Sequence, residues 1–278
     1  MSLPLPSTLT PSKISAFTSC PLSFRFSVVE HLPEVPSIQA VKGTLVHRAL
    51  QLLFDEHPVG TRNRVAAEAC LANAFAGMGG ESELTELALS VEGTEELLSD
   101  ASGLLERYFE LEDPNEVNAV ATELDLCTDV SGMTLRGIID RLDRCENGGL
   151  AVVDYKTGRA PRLEQSRSRL SSLHLYAFLC EIVTGERPSA VRLLYLRDRV
   201  ILSADTTDQS LRGVHQRARA VWAAIERACE QTDFRPHPSA LCKWCSFRAY
   251  CPVYGGDPER AAEEMASKLA GAAGTLPA

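Results

Sequence analysis

From Ala40 to Phe54 the apolar residues Val41, Leu45, Val46, Ala49, Leu50 and Leu53 recur three and four apart, the spacing of one helix face. Upstream, Ile14, Ala16 and Phe17 mark a shorter helix, with Ser12 as its expected N-cap and Pro21 as its stop. Residues 60–116 read as an acidic helical insert, least periodic around Gly77-Met78-Gly79-Gly80. The period then changes to two. Asn118–Val130, Met133–Arg144 and Leu150–Lys156 are expected as strands, parted by Ser131-Gly132 and Asn147-Gly148-Gly149. A loop carrying Arg159, Arg162, Arg167 and Arg169 leads into a helix over Leu170–Thr184. A strand over Ala190–Leu196, pairing with Val200–Ser203, and a long helix over Asp208–Glu230 capped by Asp208 follow. Pro236 and Pro238 precede a cysteine-rich end, and Gly271–Ala278 is expected to fray. Helices, a three-strand meander, helix, strand and helix predict an α/β or α+β layered fold in a single domain, residues 1–278.

Charge adds a constraint. The chain carries 28 Lys and Arg against 37 Asp and Glu, net −9, which excludes a histone-like coat on nucleic acid. The balance is uneven: residues 1–130 have net −13 and residues 131–278 net +4, so a basic face is still available to a phosphate backbone. A hydrophobic fraction of 45% supports a sizeable core. No apolar run reaches the ~18 residues of a membrane span and no leader pattern opens the chain, so a soluble, cytoplasmic protein is expected. Nine cysteines are too sparse for a secreted disulfide scaffold.

The chemistry concentrates in Gly137-Ile138-Ile139-Asp140-Arg141 and Val152-Val153-Asp154-Tyr155-Lys156-Thr157-Gly158. A hairpin centred on Asn147 sets Asp140 directly opposite Asp154, where Cβ atoms lie about 5 Å apart, with Lys156 on the same face. Two carboxylates that close resist ionising unless a cation lies between them, and a hard divalent ion such as Mg²⁺ or Mn²⁺ suits oxygen ligands. Lys156 beside them suits charge on a phosphate oxygen.

This hairpin resembles the active-site hairpin of the PD-(D/E)XK nuclease superfamily, and within it the RecB-type exonuclease branch. The resemblance implies a restriction-endonuclease-like mixed sheet flanked by helices, with residues 118–205 as the catalytic core and Asp140, Asp154 and Lys156 as its metal-dependent nuclease site. Gly43-Thr44-Leu45-Val46-His47 is similar to the branch's Gly-x-x-x-His helix, where Gly lets the backbone approach the sheet and His47 reaches the metal beside the Tyr155 carbonyl. Glu123 matches an acidic position that supports the metal, with a cross-strand ion pair to an arginine as its alternative. Tyr176 fits the following helix, but Ser172 stands where the family has Gln, and His174 is offset to another face.

Cys242-x₂-Cys245-x₅-Cys251, in the region 236–255, clusters three thiols, and Cys20-Pro21 offers a fourth. The array is similar to that of AddB-type and CRISPR-associated adaptation nucleases, which implies a [4Fe–4S] cluster stapling the N- and C-terminal segments. Zinc held by four cysteines, or by three and His237, is the alternative. Trp244, Phe247 and Tyr250 are expected to pack around the cluster rather than stack on bases. Cys70, Cys127, Cys145, Cys180 and Cys229 are expected as small core residues. The function expected is a metal-dependent DNA nuclease, an exonuclease on single strands or ends in repair or recombination. A catalytically weak nucleic-acid-binding or partner-docking module is the competing reading. No G-x-x-x-x-G-K-[ST] loop occurs, so unwinding would need a separate helicase.

Overall fold

The structure is a computed structural model describing residues 2–34, 37–79, 84–85, 87–261 and 263–264; for 163–168 it describes the backbone only. Gly80, residues 81–83, the tail over Gly271–Ala278 and the side chain of Arg167 lie outside the described residues. The elements run α1 (Pro11–Ser19), α2 (Pro21–Phe24, continued as a π-turn over Arg25–Val29), α3 (Ile38–Glu56), α4 (Arg64–Gly77) and α5 (Val91–Leu111). Then come β1 (Ala119–Val130), β2 (Met133–Arg144), β3 (Leu150–Lys156), α6 (Leu163–Thr184), β4 (Pro188–Tyr195), β5 (Val200–Asp205) and α7 (Asp208–Gln231). Short 3₁₀ turns at Ala240–Trp244, Arg248–Tyr250, Pro252–Tyr254 and Pro258–Arg260 finish the chain. No helix among the described residues is long and apolar enough to cross a membrane.

The chain divides into two compact units. One comprises residues 36–128 and 136–215; the other comprises 1–35, 129–135 and 216–278. The strands form one sheet in the order β1-β2-β3-β4-β5. β2 and β3 are antiparallel, β3 and β4 parallel through the α6 crossover, and β4 and β5 antiparallel. The sheet is therefore mixed, as expected. β3 reads Leu-Ala-Val-Val-Asp-Tyr-Lys and is buried at every position but Lys156, the signature of an interior strand beside a parallel neighbour.

In the first unit α3 lays Val41, Leu45, Val46, Ala49, Leu50 and Leu53 against Ala67, Cys70, Leu71 and Ala74 of α4 and Leu97, Ala101, Leu104, Leu105 and Tyr108 of α5. Val153 and Tyr155 of β3 belong to the same core. Among the described residues the acidic 60–116 stretch thus buries one face of α4 and of α5 in the core and turns most of its charge to solvent, Arg62 and Glu112 excepted.

Several local expectations move. The cap of α1 is Thr10, whose hydroxyl takes the Lys13 N–H at 3.1 Å, not Ser12. The cap of α7 is Thr207 rather than Asp208: Thr207 and Ser210 exchange hydrogen bonds between side chain and backbone. α6 begins seven residues early, so Arg167 and Arg169 ride its first turns instead of a loop. Cys70, Cys180 and Cys229 are buried as expected, but Cys127 is exposed and Cys145 half-buried.

Candidate active site

The β2–β3 ladder pairs Arg141 with Val153, Leu142 with Val152, Asp143 with Ala151 and Arg144 with Leu150. One step further, this register sets Asp140 against Asp154. There the ladder stops, because the peptide N–H of Tyr155 donates to Asp140 Oδ2 at 2.7 Å instead of to a backbone carbonyl. The Asp140 side chain ends the ladder and is itself locked by the bond.

Three ligand atoms converge on this opening. One each from His47 on α3, Glu123 on β1 and Asp140 on β2 lie within 4.8 Å of one another, with all three side chains half-buried. His47 Nδ1 is 3.4 Å from Asp140 Oδ2. Asp154 is buried (6% exposed), and its Oδ2 faces the Lys156 ammonium without a well-aligned hydrogen bond. Asp154 thus sits beside the triad, tied to Lys156. The cluster is short of positive charge. Burial raises the Asp154 carboxyl to about 6, Lys156 pulls against that shift, and Asp140 adds to it. Burial and then Asp140 raise Glu123. Burial would lower His47, but the hydrogen bond and charge of Asp140 win and raise it. Such a donor set fits a hard divalent cation, whose charge would offset the repulsion between the carboxylates.

Glu123 reaches the site through an irregularity that periodicity does not reveal. Its φ is +43°, left-handed backbone in the middle of β1. Before it the inward positions are odd-numbered (119, 121); after it they are even-numbered (124, 126), so one residue is bulged out and the strand changes phase. The phase change turns Cys127 outward. A non-glycine residue pays about 1 kcal/mol to sit there. Glu123→Gly should therefore unfold at higher urea than Glu123→Ala, by about 1 kcal/mol, while both weaken metal binding alike. Equal stabilities would dismiss the strained bulge.

Tyr176 of α6 packs over Gly137, where an added Cβ would stand 2.8 Å from the ring. Its hydroxyl is pushed up by burial, then by Asp154, Asp140 and Glu123, so it faces the carboxylates as a neutral phenol. Gly43 corrects an expectation: a Cβ there would meet Thr157 Oγ1 at an ordinary 3.5 Å, so no close backbone approach requires glycine. Ser172 is exposed and bonds back to the Arg169 carbonyl, and His174 is a core residue held by the carbonyls of Leu170 and Asp205.

Sequence reading missed Arg141. It is fully buried, bidentate to Asp143 at 2.7 and 2.9 Å, and bonded to Glu112 (2.6 Å), to the Tyr155 hydroxyl (2.6 Å) and to the Tyr108 hydroxyl (3.2 Å). It clamps Tyr155, whose own N–H holds Asp140. Beyond Lys156, a cleft of about 460 Å³ is lined by Arg159, Arg162, Arg169 and Tyr195, with no carboxylate in its wall among the described residues.

In the other unit, Cys20, Cys242, Cys245 and Cys251 line one cavity with Leu22, Phe26, Phe247 and Val253. The N–H groups of His237 and Ser239 donate to the sulfurs of Cys20 (3.5 Å) and Cys242 (3.3 Å). Burial raises the Cys245 thiol, and Cys20 and Cys242 add to the effect. Among the described residues no three thiol sulfurs lie within 4.8 Å of one another. Phe247 and Tyr250 are buried, as expected, but Trp244 is 86% exposed: it does not pack around the thiols.

The family model of the PD-(D/E)XK nuclease superfamily matches residues 8–252. Among solved structures, the chain is similar to a candidate exonuclease from Eubacterium rectale, with a TM-score of 0.55 and 12% identity over 86% of this chain and 87% of that one. SSO0001 aligns at 14% identity over 89% of this chain and 87% of that one, with a TM-score of 0.41. No curated protein matches the sequence.

Proposed function

The chain belongs to the PD-(D/E)XK nuclease superfamily, and on that premise we propose that it is a divalent-metal-dependent DNA nuclease of the RecB-type branch, acting on single strands or ends in repair or recombination. The observation that carries this reading is the convergence of His47, Glu123 and Asp140 beside the Asp154–Lys156 pair. His47, Glu123 and Asp140 would hold Mg²⁺ or Mn²⁺, with Asp154 and the Tyr155 carbonyl completing the shell. The bound ion supplies Lewis acidity toward a phosphodiester oxygen. Lys156 orients water or neutralises the charge developing on the phosphate, Tyr176 offers a neutral hydroxyl donor, and Arg159 and Arg169 draw the backbone along the cleft. Residues 1–278 serve as one nuclease domain, with any unwinding left to a separate helicase.

The four thiols are proposed to hold a [4Fe–4S] cluster in a reducing, cytoplasmic setting. The cavity fits the group: its wall is apolar, and backbone N–H groups already point at two sulfurs. The cluster's role is to tie residue 20 to residues 242–251, closing a long loop.

End-labelled single- and double-stranded DNA with Mg²⁺ or Mn²⁺, on anaerobically purified protein, tests the reading. Cleavage that requires the divalent ion, with a brown chromophore and about four irons per chain, is expected. Absence of both cleavage and calorimetric Mn²⁺ binding would leave the binding-module reading, which the exposed, back-bonded Ser172 favours.

A further inference from the structure

Trp244 is barely covered by the described residues of its own unit. At 86% exposure it is the most exposed large apolar side chain among the described residues, and Leu241 (66%), Val253 (46%) and Tyr254 (45%) share its segment. This is not a loose tail. The Cys242 N–H donates to the Ser239 carbonyl at 3.1 Å and the Arg248 N–H to the Cys245 carbonyl at 3.2 Å, and the Arg248 guanidinium lies 4.4 Å over the Tyr254 ring. An indole mounted on short 3₁₀ turns between two thiols is held out at little conformational cost.

The charge along its segment is one-sided. Between Asp233 and Asp257 there is no Asp or Glu, while Lys243 and Arg248 are cationic, in a chain of net −9; Arg235 is paired with Asp233 at 2.9 Å. Rings and cations without carboxylates complement a polyanion that also exposes flat apolar rings. A single-stranded nucleic acid has that character; a duplex seals its base faces in the stack.

We propose that Trp244 stacks on an unpaired base of single-stranded DNA while Lys243 and Arg248 face the flanking phosphates, a contact site separate from the carboxylate cluster. The proposal rests on the nuclease reading for its choice of DNA, yet its test does not read cleavage. The protein has two tryptophans, so Trp222→Phe leaves Trp244 as the sole indole, and Asp154→Asn keeps the strand intact. Titrating oligothymidylate into this double variant should quench the indole emission saturably. A blunt duplex should not. Adding Trp244→Ala should weaken binding, read by anisotropy, about 5- to 150-fold. Trp244→Phe should restore most of it, with the visible absorption of the thiol site unchanged throughout. The proposal is overturned by anisotropy-detected binding that leaves the emission untouched, by equal affinity in the alanine variant, or by equal quenching with duplex or anionic phosphatidylglycerol vesicles. Wild-type cleavage with a silent indole would sink this inference alone; quenching without cleavage would sink only the nuclease reading.

Discussion

Asp154→Asn should abolish cleavage, by about 10³-fold or more, and should not destabilise the metal-free protein at pH 8. The reason is the sign of its shift. Burial holds the folded-state carboxyl at about 6, above the usual 3.8. Between those values the folded chain keeps a proton the unfolded chain has lost, so stability falls as pH rises through that window. Above pH 6 both states are ionised and the burden is complete, on the order of 3 kcal/mol. Asn has the same shape and no charge. The variant should therefore equal or exceed the wild type in chemical denaturation at pH 8, with the advantage gone below about pH 3, where both states of Asp154 are protonated. Mn²⁺ should stabilise the wild type more than the variant. Cleavage within tenfold of wild type, or a less stable variant at pH 8, would remove Asp154 from the site.

The hairpin that carries this residue was legible because its determinants are local. Asn147-Gly148-Gly149 fixes the turn, and alternation fixes the faces, so the register follows from counting and the ladder obeys it to Arg141–Val153. Glu123 was legible only as an acidic position, because its left-handed backbone leaves a phase slip that looks like noise in a strand of mixed polarity. Trp244 was misjudged because aromatic residues between clustered thiols suggest packing, and exposure is decided by how the 3₁₀ turns orient them. Arg141 was invisible for another reason. Its partners Tyr108 and Glu112 lie 33 and 29 residues upstream, and only the packing of α5 against the sheet brings them to it.

Arg141→Met should cost about 3–5 kcal/mol of global stability, the largest loss expected of any single change. The side chain would still fill the space against Phe54, whose ring the guanidinium now covers at 4.7 Å. What is lost is the cation between Asp143, with its side chain 7% exposed, and Glu112, 17% exposed. Two carboxylates would then lose the cation between them, leaving Asp143 only the longer-range charge of Arg192. Neutralising them in the same chain, with Asp143→Asn and Glu112→Gln, should recover much of the stability, since a polar network without net charge is tolerated where half a network is not. Metal affinity should not recover with it. The Tyr155 hydroxyl has lost its donor, and Tyr155 N–H is what holds Asp140 in line. Mn²⁺ affinity in the triple variant should stay about 10- to 100-fold down, the scale at which groups behind metal ligands act. Urea unfolding and Mn²⁺ calorimetry on the two variants separate the effects. A single variant losing under 1 kcal/mol would mean that the arginine is not what holds the carboxylates, and full metal affinity in the triple would cut the link from Arg141 through Tyr155 to the site.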